Sequence, residues 1–281
     1  MKTKDIITVI DSGSSLYFID IAELRRHRYL LAQFVYRDFV VHYKQTILGP
    51  VWWVAQPLMM TAVFVFVFSF IAKLSTDQLP APLFYLSGLI MWNLFAQNFQ
   101  HISNIFLENK HVFQKVYFPR LIPPIACTCS NIVRFVLQFA VFVLLYLIYL
   151  ICGYTICPSP TILLLPLLLI YTAVLSFGFG ILTAALTVKY RDLVLTLPFI
   201  IQLWMFLSAV MLPLSAVPER WQFVFSLNPV VPAVETFRLM CFGTGGVSLL
   251  PLCVGIVFNV LVLFLGLFMF VRTERNFTDT I

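Results

Sequence analysis

Apolar residues gather in six long runs, at about 51–72, 83–106, 125–151, 161–188, 193–214 and 248–271, separated by shorter polar stretches. A helix needs about 20 apolar residues to cross the roughly 30 Å hydrocarbon core of a bilayer. Each run is long enough, and each is predicted to be helical, because unpaired backbone groups are not tolerated in lipid. The two-residue alternation of a membrane barrel is absent. The pattern predicts an all-α integral membrane protein with six transmembrane helices, comprising a segment 1–46 ahead of a membrane domain 47–281.

Two segments are neither crossings nor ordinary loops. Over residues 21–46, Arg26, Gln33, Arg37 and Lys44 fall on one helical face, with Leu24, Leu31, Val35 and Phe39 opposite. This predicts an amphipathic helix lying in the membrane interface, apolar face in lipid and cationic face toward headgroups. Residues 215–247 are too long for a turn and too apolar for a solvated loop. They read as two short helices broken at Asn228-Pro229 and ended at Gly243, dipping back toward the membrane before the last span. Within them Glu235 and Arg238 are three apart and can pair on one face, as a structural bond or as part of an outer gate.

Charge orients the chain. The segments on the side of the termini carry Lys2, Lys4, Arg25, Arg26, Arg28, Arg37, Lys44, Lys110, Lys115, Arg120, Lys189, Arg191, Arg272 and Arg275, against Lys73, Arg220 and Arg238 on the other. A split of 14 to 3 places both termini in the cytoplasm. Composition agrees with a membrane protein: 61% hydrophobic and 11% charged residues over 281 positions, where soluble domains have about 25% charged. A soluble enzyme, a disordered tail and a nucleic-acid-binding module are excluded, since the basic residues lie between apolar runs and form no patch. The first 46 residues hold no apolar core of a signal peptide. The six cysteines read as small apolar packing residues.

The search for chemistry is mostly negative. The chain has no G-x-x-x-x-G-K-[ST] loop, no H-E-x-x-H and no G-x-S-x-G. Leu86-Ser87-Gly88-Leu89 is similar to an ATPase signature loop but lies inside a span. His27, His42, His101 and His111 have no partner at metal-ligand spacing, so no metal site is predicted. Acidic residues are confined to loops, termini and interfacial segments, which argues against a proton- or sodium-coupled carrier. Asn276-Phe277-Thr278 forms a glycosylation sequon on the cytoplasmic side, a chance match. Two features remain. Tyr85, Trp92, Phe95 and Phe99 share one face of the second span, a candidate lining on which sugar rings can stack. Arg134 lies alone within a span, where a charge costs at least about 2.5–3.5 kcal/mol; it either snorkels to headgroups or meets an anionic lipid-linked phosphate. Ser176, Gly180 and Ala184 form a small-residue stripe that permits close packing inside the protein.

The motifs resemble a known family. Arg37-Asp38-Phe39-Val40-Val41-His42-Tyr43-Lys44-Gln45-Thr46-Ile47-Leu48-Gly49-Pro50 runs into Trp52-Trp53 and Gln56-Pro57. This resembles the entry to the first span of the membrane subunit of polysaccharide ABC exporters, the type-2 class that moves O-antigens, capsules or teichoic acids. Lys115-Val116-Tyr117-Phe118-Pro119-Arg120, Asn228-Pro229 with Glu235-Thr236-Phe237-Arg238, and Glu274-Arg275-Asn276-Phe277-Thr278-Asp279 extend the resemblance in order along nearly the whole chain. It implies a half-transporter in the bacterial inner membrane: two copies form the channel, and two separate ATPase subunits, which bind the ATP and Mg, dock below.

The resemblance further implies that residues 108–120 hold a coupling segment seated on the ATPase, with Phe113, Lys115, Tyr117, Phe118 and Arg120 as its contacts. Arg26, Arg37 and Lys44 would attract the pyrophosphate of a lipid-linked glycan, or bind anionic membrane lipids. The implied function is ATP-driven export of a lipid-linked polysaccharide. Alternatives are export of teichoic acid or of a hydrophobic small molecule, and, more distantly, a membrane-embedded glycosyltransferase, for which Asp38 and Asp192 are solitary carboxylates.

Overall fold

A computed structural model describes residues 26–44, 49–109, 118–243 and 249–277. Among these residues every regular element is a helix. In chain order they are α1 (Arg28–Lys44), α2 (Trp52–Phe64), α3 (Ala81–Ser103), α4 (Ile105–Glu108) and α5 (Ile122–Ile151). Then come α6 (Leu165–Lys189), α7 (Asp192–Phe206), α8 (Glu219–Leu227), α9 (Val230–Phe242) and α10 (Leu249–Phe277). A wider π turn, Val65–Ile71, continues α2, and a 3-10 turn, Pro160–Leu164, leads into α6.

Four helical segments are long and apolar enough to cross a membrane: Gly49–Ile71, Ile122–Ile151, Pro160–Lys189 and Leu250–Thr273. Two predicted runs differ. α3 has 23 residues, about 34 Å at 1.5 Å per residue, but carries Asn93, Gln97, Asn98 and Gln100. It tolerates them as the central helix, with Leu83, Tyr85, Ile90, Met91 and Phe95 fully buried by its neighbours. α7 stops at Phe206, well before the predicted 214; its 15 residues rise roughly 22 Å. The chain then turns through 207–213, with Ala209 in the left-handed region at φ 55°.

Proline placement explains the local breaks. Pro82, Pro123, Pro124 and Pro166 fall in first helical turns, where a missing N–H costs nothing. Pro57 lies inside α2 and leaves the Trp53 carbonyl, four residues back, without its helical donor. The Gln138 amide of α5 donates to that carbonyl at 2.9 Å. A polar side chain at a buried position of a membrane helix thus repairs a proline defect in its neighbour.

The bundle closes on small residues. A Cβ added at Gly180 of α6 would lie 2.6 Å from Ile102 of α3, and one at Gly178 would lie 3.1 Å from the Leu263 backbone of α10. Ser176 and Ala184, which share the Gly180 stripe, are fully buried. The stripe is an internal seam, as the spacing predicted, and α6 sits between α3 and α10. Polar bonds lock the same seam: the Asn98 amide donates to Ser176 at 2.8 Å and the Asn131 amide to Asn98 at 3.1 Å, joining α3, α5 and α6.

Candidate functional site

At one end of the bundle, α1 lies across the start of α5. Phe34, absent from both faces read from the sequence, is buried and packs on Phe118 with ring centroids 5.7 Å apart. Ile122 and Ala126 complete the cluster, with Leu30, Leu31 and Val35 packed against it. Phe39 meets the edge of Trp53 at 5.2 Å. The apolar face of α1 is therefore taken up largely by the protein itself, where the amphipathic pattern predicted lipid. The pattern identifies the sticky face but not what covers it.

One turn beyond Phe34, the Arg37 guanidinium donates to Asn109 Oδ1 at 2.9 Å and to Asp38 at 3.2 Å, and it lies over the Phe34 ring at 4.6 Å. Ser130 of α5 donates to the other Asp38 oxygen at 3.4 Å. Asn109 is buried and its amide also donates to the Ile105 carbonyl. Residues 110–117 run between Asn109 and Phe118, so both flanks of that segment are held by side chains one helical turn apart on α1. Burial of Glu108 and the neighbouring Asp38 raise its carboxyl above the ordinary carboxylate range, opposed by Arg37.

Of the predicted coupling contacts, Phe118 is buried in this cluster and Arg120 is partly buried. Phe113, Lys115 and Tyr117 lie outside the described residues. Arg26, just ahead of α1, and Lys44, at its end, are exposed, and Arg37 keeps 44% of its side chain in the open. Arg134 is buried within the bundle. Only 7% exposed, it stacks over Trp53 at 4.9 Å and donates to Gln97 at 3.4 Å. An internal arene and amide replace the headgroup as its solvation.

The aromatic stripe is buried inside the subunit, not open to a conduit. Tyr85, Trp92, Phe95 and Phe99 are 0–4% exposed. Tyr85 packs against Phe64 and Phe84, while Phe95 and Phe99 meet Phe179 of α6 and Trp204 of α7. The rings face the interior of their own subunit and glue α2, α6 and α7 to α3. They line no open surface in this conformation, because periodicity places them on an inward face without distinguishing core from conduit.

At the opposite end, Glu235 and Arg238 are joined at 3.0 Å, both buried. Arg238 also donates to the Ala209 and Val210 carbonyls at 2.7 and 3.0 Å, and its guanidinium covers the Phe84 ring at 3.7 Å. The turn after α7 leaves carbonyls without helical donors, and Arg238 supplies them. Glu235 neutralises the charge in place. The pair is a staple between α9 and the end of α7, and Gly88 gives it room: a Cβ there would fall 2.8 Å from an Arg238 nitrogen. Gly243, at φ 67°, ends α9 as its position predicted, its N–H bonded to Leu239.

A helical bundle with several helices long and apolar enough to cross a membrane, an N-terminal helix clamped to Asn109 and Phe118 at one end and broken helices at the other is the architecture of an integral membrane protein. The chain belongs to the ABC-2 type transporter family, whose model matches residues 29–242. It is similar to an O-antigen export system permease protein of Klebsiella pneumoniae, with 24% identity over 89% of this chain and 94% of that protein. The counterpart in Myxococcus xanthus is 23% identical over 93% and 98%. A polysialic acid transport protein of Escherichia coli is 26% identical over 82% and 87%.

Proposed function

We propose that this chain is the permease subunit of an ATP-driven exporter of lipid-linked polysaccharide, working in the bacterial inner membrane. The observation that carries the mechanism is the double hold of α1 on Asn109 and Phe118. A push on the segment between those residues passes to α1 through Arg37 and Phe34 and to α5 through Ile122. Family membership and the full-length similarity to polysaccharide permeases support the cargo class. The sequence has no phosphate-cradling loop, so a separate pair of ATPase subunits would bind ATP and Mg and drive the push.

In this reading the chain crosses the membrane six times with both termini cytoplasmic. α3 is a crossing shielded from lipid by its neighbours. α7 completes its crossing through 207–213, and α8 and α9 form an outer re-entrant pair. A second copy completes the conduit. With the α3 stripe buried, rings still open to line a shared pathway include Phe66 and Phe70 on the α2 side, Phe199 and Phe206 on α7, and Phe264 and Phe268 on α10. Arg26, Arg37 and Lys44 remain the cationic face toward a lipid-linked phosphate or anionic lipids.

The test is assembly and coupling. Co-expressed with its ATPase partner, the wild-type chain should purify as a complex of two copies of each subunit. Charge reversal at Lys115 or Arg120 should abolish assembly or export. Normal export by both variants would remove the coupling assignment to 108–120.

A further inference from the structure

The Asn228 side chain joins the ends of three helices. Its amide donates to the Leu207 carbonyl at 2.8 Å and to the Ser208 hydroxyl at 3.1 Å, at the end of α7. Its Oδ1 accepts from the Trp204 indole at 3.1 Å and from the Val230 N–H at 3.1 Å, which caps the start of α9. Asn228 is also the last residue before Pro229, where α8 gives way to α9.

The two helices on either side of this point are held very differently. α9 is buried along most of its length. The Tyr171 hydroxyl donates to the Pro229 carbonyl at 2.7 Å, Arg238 staples it to residues 209–210, and the Ser159 N–H donates to Met240 at 3.0 Å. α8 has no buried residue, and Trp221, Phe223, Val224 and Leu227 are each more than half exposed. Gln222 and Ser226 spend their side-chain bonds on carbonyls within the same segment. Beyond its N-terminal end, the Ser215 hydroxyl donates to Asp77 at 2.8 Å.

We propose that Asn228 is a latch: α8 swings as an outer flap about the Asn228-Pro229 joint while α9 stays fixed, and the bonds from Asn228 to Leu207, Ser208 and Trp204 tie the hinge end of the flap to the end of α7. Displacement of the outer end of α7 breaks these bonds and releases α8. The Arg238 staple keeps residues 209–210 in place throughout. Which side of the membrane the flap faces rests on the six-crossing reading, but the motion does not.

The roles of the two amide atoms separate by substitution. Asn228→Asp keeps the acceptor that caps α9 and takes the Trp204 N–H, and it loses both donors to α7. Trp204→Phe removes one bond and keeps an aromatic ring. Two neutral hydrogen bonds lost together correspond to a roughly tenfold rise in the ratio of released to latched flap.

The experiment uses the full chain in lipid nanodiscs, its native cysteines replaced, with spin labels at positions 200 and 224 to report α7 to α8. A second pair at 163 and 239 reports the bundle to α9. In the latched protein both distance distributions are narrow. Asn228→Asp should broaden the 200–224 distribution toward longer distances and leave 163–239 unchanged, with Trp204→Phe producing a smaller shift of the same kind. An unchanged 200–224 distribution in both variants overturns the latch. So does equal broadening of both pairs, which would make Asn228 a support of the fold as a whole. Neither outcome depends on the cargo or on ATP.

Discussion

Truncating Phe34 to Ala tests whether α1 is bound to the flank of segment 110–117. The ring is 6% exposed and its partner Phe118 is 5% exposed, so the change removes a buried aromatic from a small cluster. Phe-to-Ala changes in full cores cost about 3–5 kcal/mol, and a cluster at a bundle edge collapses more easily, so about 2–4 kcal/mol is expected here. α1 is otherwise held by the Arg37–Asn109 and Ser130–Asp38 hydrogen bonds, the Phe39–Trp53 edge contact and the partly buried Leu30, Leu31 and Val35, each a smaller contribution than a buried ring. Most of the loss therefore appears as local opening of α1, and amide exchange in residues 30–40 should accelerate by roughly 30- to 800-fold. Phe118→Ala should match it. In the double variant the two costs should fall short of adding by about 0.5–1.5 kcal/mol, the worth of an aromatic pair. Additive effects, or exchange in α1 that Phe34→Ala leaves unchanged, would refute the hold and with it the route of the push.

Gln138→Leu should destabilise the bundle by about 1–3 kcal/mol by orphaning the Trp53 carbonyl, and Pro57→Ala, which restores the helical N–H, should rescue most of that loss in thermal unfolding. Because the folded state raises the Glu108 carboxyl, its ionised form is disfavoured there. The resulting destabilisation of the α1 contact is present above the raised value and vanishes as pH falls through it, so Glu108→Gln should flatten the pH dependence of α1 exchange just above the ordinary carboxylate range. Phe95→Leu and Phe99→Leu should lower thermal stability, as core residues do. Unchanged stability with impaired export would restore the lining role. Thiols placed at 77 and 220 should label from outside and at 44 and 275 from the cytoplasmic side; external labelling at 275 would break the six-crossing topology.

Much of the fold was legible because membrane helices announce themselves by length. Helices occupy all six apolar runs, and the break at Asn228-Pro229 and the stop at Gly243 follow from local chemistry. The early end of α7 was not legible: residues 207–213 are as apolar as a helix, and the turn exists because Arg238 and Asn228, more than 20 residues on, supply donors to its carbonyls. The aromatic stripe was visible as a face but not as a core, since a helix wrapped by its own subunit and one lining a conduit share the same period. Phe34 escaped because it falls between the two faces of the wheel. The Gln138 bond left a usable signal: an interior proline at 57 marks residue 53 as a carbonyl in need of a donor. Arg37 was singled out for its charge toward lipid phosphate, and its bond to Asn109 depends on a fold that brings residues 72 positions apart together.

If the proposed function holds, this chain moves a lipid-linked polysaccharide only when a separate ATPase drives it. The most direct measurement is uptake of such a glycan into inside-out vesicles containing the chain and its ATPase partner, with ATP supplied outside. Glycan should accumulate only with ATP and both proteins, and accumulation should fall sharply when Arg37 and Phe34 are replaced together. Accumulation without the ATPase, or with ATP absent, would contradict the proposed function.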